Sequence, residues 1–260
     1  KKAEPTCKKP NFLAIRGIRM VQDRKRAPKF PIRSSAIPQE LYFMMVRSIS
    51  NSIDENSQGE GINFYHSSLF YTPVIAINLW EYLLNSAFQN DFVLDNTIFG
   101  EAKEALDKWD IKTKTLVYPK LLLNKEILKK NESLWQDFQL ILKIRNEIIH
   151  YKNSFYEGPA KEVEQLRRKQ LTVRKREFVY LDWPIEIATT EFARFCVNTV
   201  VELWERLYRL VEDSPFDIVF KPDEEFKITE DWVRNEMKAK GIPVDRMKNM
   251  YMDDWVELDE

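Results

Sequence analysis

Glycine is scarce in this chain, with six among 260 residues. Loops that wrap backbone around a phosphate need it, and neither G-x-G-x-x-G nor G-x-x-x-x-G-K-[ST] occurs. Nucleotide binding by such loops is unsupported, and a β protein with many tight turns is argued against. Cysteine is scarcer still: Cys7 and Cys196 lie far apart, and two cysteines make no disulfide framework in a chain of this size. A reducing cytosol is the compartment this suits. No apolar run reaches the about 18 residues that cross a bilayer, so no membrane partner is expected. The first residues lack the apolar core of a secretory signal. They open Lys1-Lys2 with no methionine, as a trimmed or excised chain does. Histidine appears twice, as His66 and His150. No Asp-x-Asp cluster or His/Cys pair marks a metal site, so the chemistry is expected to need no metal and no cofactor.

What is present is an ordinary apolar share, 44%, with 31% charged residues, enough to bury a large core. The net charge of −1 hides a gradient. Residues 1–50 hold 12 Lys/Arg against 3 Asp/Glu, and residues 211–260 hold 7 against 15. Residues 1–38 carry Pro5, Pro10, Pro28, Pro31 and Pro38, and the run from Arg24 to Arg33 cannot hold a regular helix. They read as a basic extended arm that either lies along a nucleic-acid backbone or wraps its own domain. Residues 215–260 read as an acidic extension, whose last stretch, 247–260, mixes Met, Tyr and Trp with acid and is either a docking tail for a partner or neighbouring subunit or a strap on the same domain. Between them, residues 39–214 read as one helical domain.

Within that domain the hydrophobic period predicts a series of helices. The first covers residues 41–53, ahead of a polar loop at 56–61. His66 stands at the next helix entrance as a structural or surface residue. Thr72 is expected to cap a strong apolar helix with Pro73 at its first position. Along it, Asn78, Glu81 and Asn85 form a narrow polar stripe. The stripe either faces solvent or brings Glu81 against the helix that carries Arg145 and His150. Further helices are expected at 99–109, at 118–130 starting near Pro119, and from Leu134, capped by Asn131 or Ser133. Residues 161–176 hold seven basic and two acidic side chains. That stretch is either a solvated charged helix or a phosphate-contacting patch of Arg167, Arg168, Lys169, Arg174, Lys175 and Arg176. Residues 178–183 and 216–220 read as extended, 185–211 as the last long helix, and Thr229 to Lys240 as a short one ended by Gly241.

The helix beginning at Leu134 ends in Arg145-Asn146-Glu147-Ile148-Ile149-His150. Asn146 and His150 are four apart and share a face, with Arg145 alongside. An imidazole moves protons near neutral pH, and a guanidinium grips phosphate oxygens. The amide can fix the imidazole without adding charge. Together these suit transesterification in RNA. A base takes the ribose 2′-hydroxyl proton, the oxygen attacks its own phosphate, arginine stabilises the phosphorane, and an acid protonates the leaving 5′-oxygen. One chain brings one such histidine, so two copies meeting on a twofold axis would complete the set.

Arg145-Asn146-x-x-x-His150 at the end of an apolar helix resembles the R-x4-6-H signature of the HEPN domain, in which Asn, Asp or His commonly follows the arginine. The resemblance spans roughly residues 69–210. The upstream segment FYTPVIAINLWEYLLNSAF is similar to the HEPN helix that brings a polar or acidic residue to the site, which maps to Glu81. The resemblance implies an all-α, HEPN-like helical bundle and a homodimer or higher even oligomer. It implies a metal-independent endoribonuclease (a cytoplasmic toxin, abortive-infection or antiviral defence effector), with RNA as substrate and an antitoxin or sensor protein as partner. It equally admits a non-catalytic dimerisation or interaction module. The tyrosine that HEPN toxins silenced by nucleotidylation carry two residues past the histidine is replaced by Lys152, with Tyr151 directly after His150.

Overall fold

A helix that is apolar on all but one narrow stripe needs neighbours on most sides, and the longest such stretch here organises the molecule. The computed structural model describes residues 37–53, 66–88, 106, 108–150, 159–172, 183–212, 222 and 224–242. In it, α2 (Thr72–Phe88) buries Ala76, Ile77, Leu79, Trp80, Leu83, Leu84, Ala87 and Phe88. It packs against α1 (Ile37–Ser52), α3 (Ile111–Leu123), α4 (Ser133–Ile149) and α7 (Thr190–Val211). Alpha helices α5 (Ala160–Arg168), α6 (Trp183–Ile187) and α8 (Glu230–Ala239) and 3-10 turns at Ser67–Tyr71 and Glu224–Phe226 complete the described elements. Every regular element among the described residues is helical, so the fold is all-α. None of the described helices is long and apolar enough to cross a membrane.

The long outer helix α7 shows why the core closes. Phe192, Cys196, Val200, Leu203 and Leu207 recur at three and four and are all buried, which gives one continuous apolar face. Cys196 is free and lies in that face. Burial pushes its thiol well above the ordinary value, so it packs as a small hydrophobe.

Several helix boundaries differ from those the sequence predicts, each for a local reason. Thr72 does not cap α2: the 3-10 turn runs straight into it, and Thr72 already has helical φ −55 and ψ −44. The cap sits earlier, at His66, whose Nδ1 accepts the Ser68 backbone N–H. α3 does not start at Pro119. It starts after Asp110, whose carboxylate accepts the N–H groups of Lys112 and Thr113, and runs through the proline to Asn124 in the left-handed region. The residue before α4 is Glu132 rather than Asn131 or Ser133. α5 stops at Arg168, eight residues short of its predicted end, because Gln170 turns left-handed at φ 58. The Gln170 and Leu171 N–H groups then return to the carbonyls of Arg167 and Leu166, a Schellman closure. The predicted helix at 185–211 is two helices. Thr189 is extended, donates its hydroxyl to the Leu171 carbonyl, and accepts the Phe192 N–H to start α7.

α8 begins at the Thr229 cap and is followed by Gly241 at φ 74, as its sequence predicts. It is no separate extension, for residues 224–242 join the same core. Phe226 packs 4.6 Å from the Tyr42 ring and 5.6 Å from Trp204. Asn198 brackets Ile228, accepting its N–H at 2.8 Å and donating to its carbonyl at 3.1 Å. Lys240 donates to the carbonyls of Ser50 and Ile53 at the end of α1. The helical body therefore continues past residue 214. The predicted arm (1–38) meets the described residues only at Ile37 and Pro38, which open α1; the expected helix at 99–109 and the extended pieces at 178–183 and 216–220 fall largely or wholly outside them.

Candidate functional site

α4 buries Leu134, Phe138, Leu140, Ile141 and Ile144. Its last turn therefore carries the polar residues outward: Asn146 and His150 are exposed and Arg145 is half-buried. His150 is the C-cap residue. Its backbone N–H closes the helix onto the Asn146 carbonyl at 2.9 Å, and its ring has no hydrogen-bond partner among the described residues.

Arg145 and Asn146 are joined directly. Arg145 Nη1 donates to Asn146 Oδ1 at 3.0 Å. The amide thus holds the guanidinium, whereas the i and i+4 spacing predicts that it fixes the imidazole. Arg145 Nε is sealed from solvent and unpartnered among the described residues, a state that costs stability when nothing satisfies it. The turn thus presents a clipped cation and an open imidazole, the two groups that oxyanion binding and proton transfer require.

Glu81 is engaged elsewhere. On α2 it accepts from Lys114 Nζ of α3 at 3.2 Å, and Asn85 one turn on accepts from the same ammonium at 3.3 Å. Lys114 is 3% exposed. Beside this pair Trp80 Nε1 donates to Thr115 Oγ1 at 2.8 Å. Two residues of the stripe, Glu81 and Asn85, therefore form a polar seam between α2 and α3 rather than a link to Arg145 or His150, and Asn78 is exposed. An ammonium drawn into a core must find such acceptors, but nothing in the sequence marks Lys114 as buried.

Within the predicted basic patch, Arg167 and Lys169 are engaged in ion pairs with other helices. Arg167 forks onto Glu186, with Nη2 to Oε2 at 2.7 Å and Nε to Oε1. Glu186 is 4% exposed, and its bonds hold the Arg167 guanidinium above its ordinary value. Lys169 pairs with Asp137 at 3.0 Å and stands 5.6 Å over the Phe195 ring. Arg168 remains exposed, 3.4 Å from Glu164. Arg174, Lys175 and Arg176 lie outside the described residues. Among the described residues no three His, Cys, Asp or Glu side chains group to hold a metal ion. His66 is exposed, with its Nδ1 2.6 Å from the Ser68 hydroxyl, which is the turn-capping role its position suggests.

Comparison with protein-family models, with curated proteins and with solved structures finds no match to this chain.

Proposed function

We propose that the chain is a metal-independent endoribonuclease of the HEPN kind, working in the cytoplasm as a toxin or antiviral defence effector. The observation that carries this reading is the last turn of α4, where Arg145 is clipped to Asn146 beside the exposed His150. In the reaction Arg145 binds the scissile phosphate, and Asn146 positions Arg145. His150 transfers a proton, as base to the 2′-hydroxyl or as acid to the leaving 5′-oxygen. The O2′–P bond forms as the P–O5′ bond breaks, leaving a 2′,3′-cyclic phosphate and a 5′-hydroxyl. A second copy supplies the other histidine across a twofold axis, and an antitoxin or sensor protein restrains the enzyme. Glu81 does not enter these steps, because Lys114 and α3 engage it.

The test is cleavage of total RNA in the presence of EDTA, with product ends analysed for cyclic phosphate. Wild type is expected to cut and His150→Ala to lose at least about a hundredfold in rate while staying folded. Equal cleavage by the two proteins refutes the reading. One observation favours a second reading, a non-catalytic interaction module: Arg167 and Lys169, predicted to contact RNA, serve intramolecular pairs instead. Under that reading wild type leaves RNA intact.

A further inference from the structure

α1 lays one face on the core through Tyr42, Met45, Ile49 and Ser52. The opposite face is a second stripe at helical spacing, made by Glu40, Phe43, Met44, Arg47 and Asn51, all exposed. Phe43 is 51% and Met44 50% exposed, among the largest apolar exposures in the described residues. The Phe43 ring is not loose, since it meets the Tyr42 ring edge-on at 5.6 Å. Glu40 and Arg47 have no ion-pair partner among the described residues.

The order of these side chains is self-complementary. We propose that this face binds the same face of a second copy, antiparallel, about a twofold axis between Phe43 and Met44. Such an axis sets residue 43 against residue 44, and residue 40 against residue 47. Phe43 then meets the partner's Met44, a favourable ring–sulfur contact, and Glu40 meets the partner's Arg47. Each contact occurs twice, as an isologous interface requires. A parallel pairing would instead stack Glu40 on Glu40 and Arg47 on Arg47. The charge pattern therefore selects a second copy in one orientation. One helix face per copy is small beside the about 800 Å² per partner of a standard interface. The contact is therefore a weak one, and salt weakens it further. It lies on α1, apart from the α4 turn, and does not depend on the nuclease reading.

The test is sedimentation velocity of the full chain over a range of concentrations, at low and at high salt. All four positions are exposed, so substitution leaves the core intact. Glu40→Arg and Arg47→Glu each place like charges together twice and are expected to weaken association about tenfold. The double variant Glu40→Arg/Arg47→Glu restores opposite charges and is expected to return to within about threefold of wild type. Phe43→Ser is expected to abolish the contact. If copies also associate through α4, the same series is read as the step between the larger and the smaller species. Failure of the single reversals to weaken association overturns the proposal, as does failure of the double reversal to restore it.

Discussion

Arg167 is the residue whose role the structure changes most, and its removal tests the change. Deleting one member of a buried ion pair strands the other charge, at a cost of about 3–5 kcal/mol. Glu186 is that other charge, with a side chain only 6% exposed. Arg167 itself is 35% exposed, so water entering the vacated space solvates part of the carboxylate and lowers the cost to about 2–3 kcal/mol. In a body of this size each kcal/mol is worth about 2–4 °C, so Arg167→Ala is expected to melt about 5–10 °C below wild type. Arg168→Ala, next along the chain and 77% exposed, is the control and is expected to stay within about 0.5 kcal/mol. Replacing both partners, as Arg167→Met with Glu186→Leu, leaves no stranded charge and is expected to recover most of the loss. Thermal unfolding followed by circular dichroism at pH 7 reads all four proteins. If Arg167→Ala and Arg168→Ala melt together, the pair does not hold α5 to α6, and Arg167 is again open to a role at the surface.

Two further outcomes follow from single side chains. The Asp110 carboxyl is held below its ordinary 3.8, first by its bond from the Thr113 hydroxyl. Its contribution is present above that value and is lost as the pH falls through the depressed one. Asp110→Ala is therefore expected to cost about 1 kcal/mol at pH 7, with the gap to wild type closing in acid, as urea titrations at each pH would show. Burial pushes the Tyr42 phenol up to about 12, and it donates to the Phe226 carbonyl at 3.0 Å. An unfolded chain ionises this group near 10, so its stabilisation is complete below that pH and fades as the pH rises toward the folded value. Tyr42→Phe is expected to lose about 1 kcal/mol at pH 7 and to decline less than wild type above pH 10. An equal decline in the two proteins would refute the assignment.

The helical class is legible because apolar period is a property of the chain itself, which α4 and α7 carry strongly, while α2 is long and apolar nearly all round. The missed boundaries gather where the usual sequence punctuation is absent or misplaced. Gln170 is left-handed where glycine is the usual signal. Pro119 sits within a helix it was expected to begin. Thr189 breaks a helix without glycine or proline nearby. At the candidate site, Arg145, Asn146 and His150 were legible because i and i+4 positions meet on any helix. The partners of Glu81 and Arg167 were not, because Lys114 and Glu186 come from other helices and have no sequence mark of burial. The clip between Arg145 and Asn146 is a rotamer choice, which spacing alone does not determine.

The seam between α2 and α3 gives α3 an internal gauge. Lys112 and Lys120 are exposed on that helix, while Lys114, between them in sequence, has its ammonium enclosed by Glu81 and Asn85. An amine-specific reagent meets the first two at any moment and the third only when α3 leaves α2. The labelling ratio within this one short peptide therefore reports the undocking of a single helix. It does so without a probe attached, and Lys114 labelling faster than global unfolding allows marks the undocking of α3 alone.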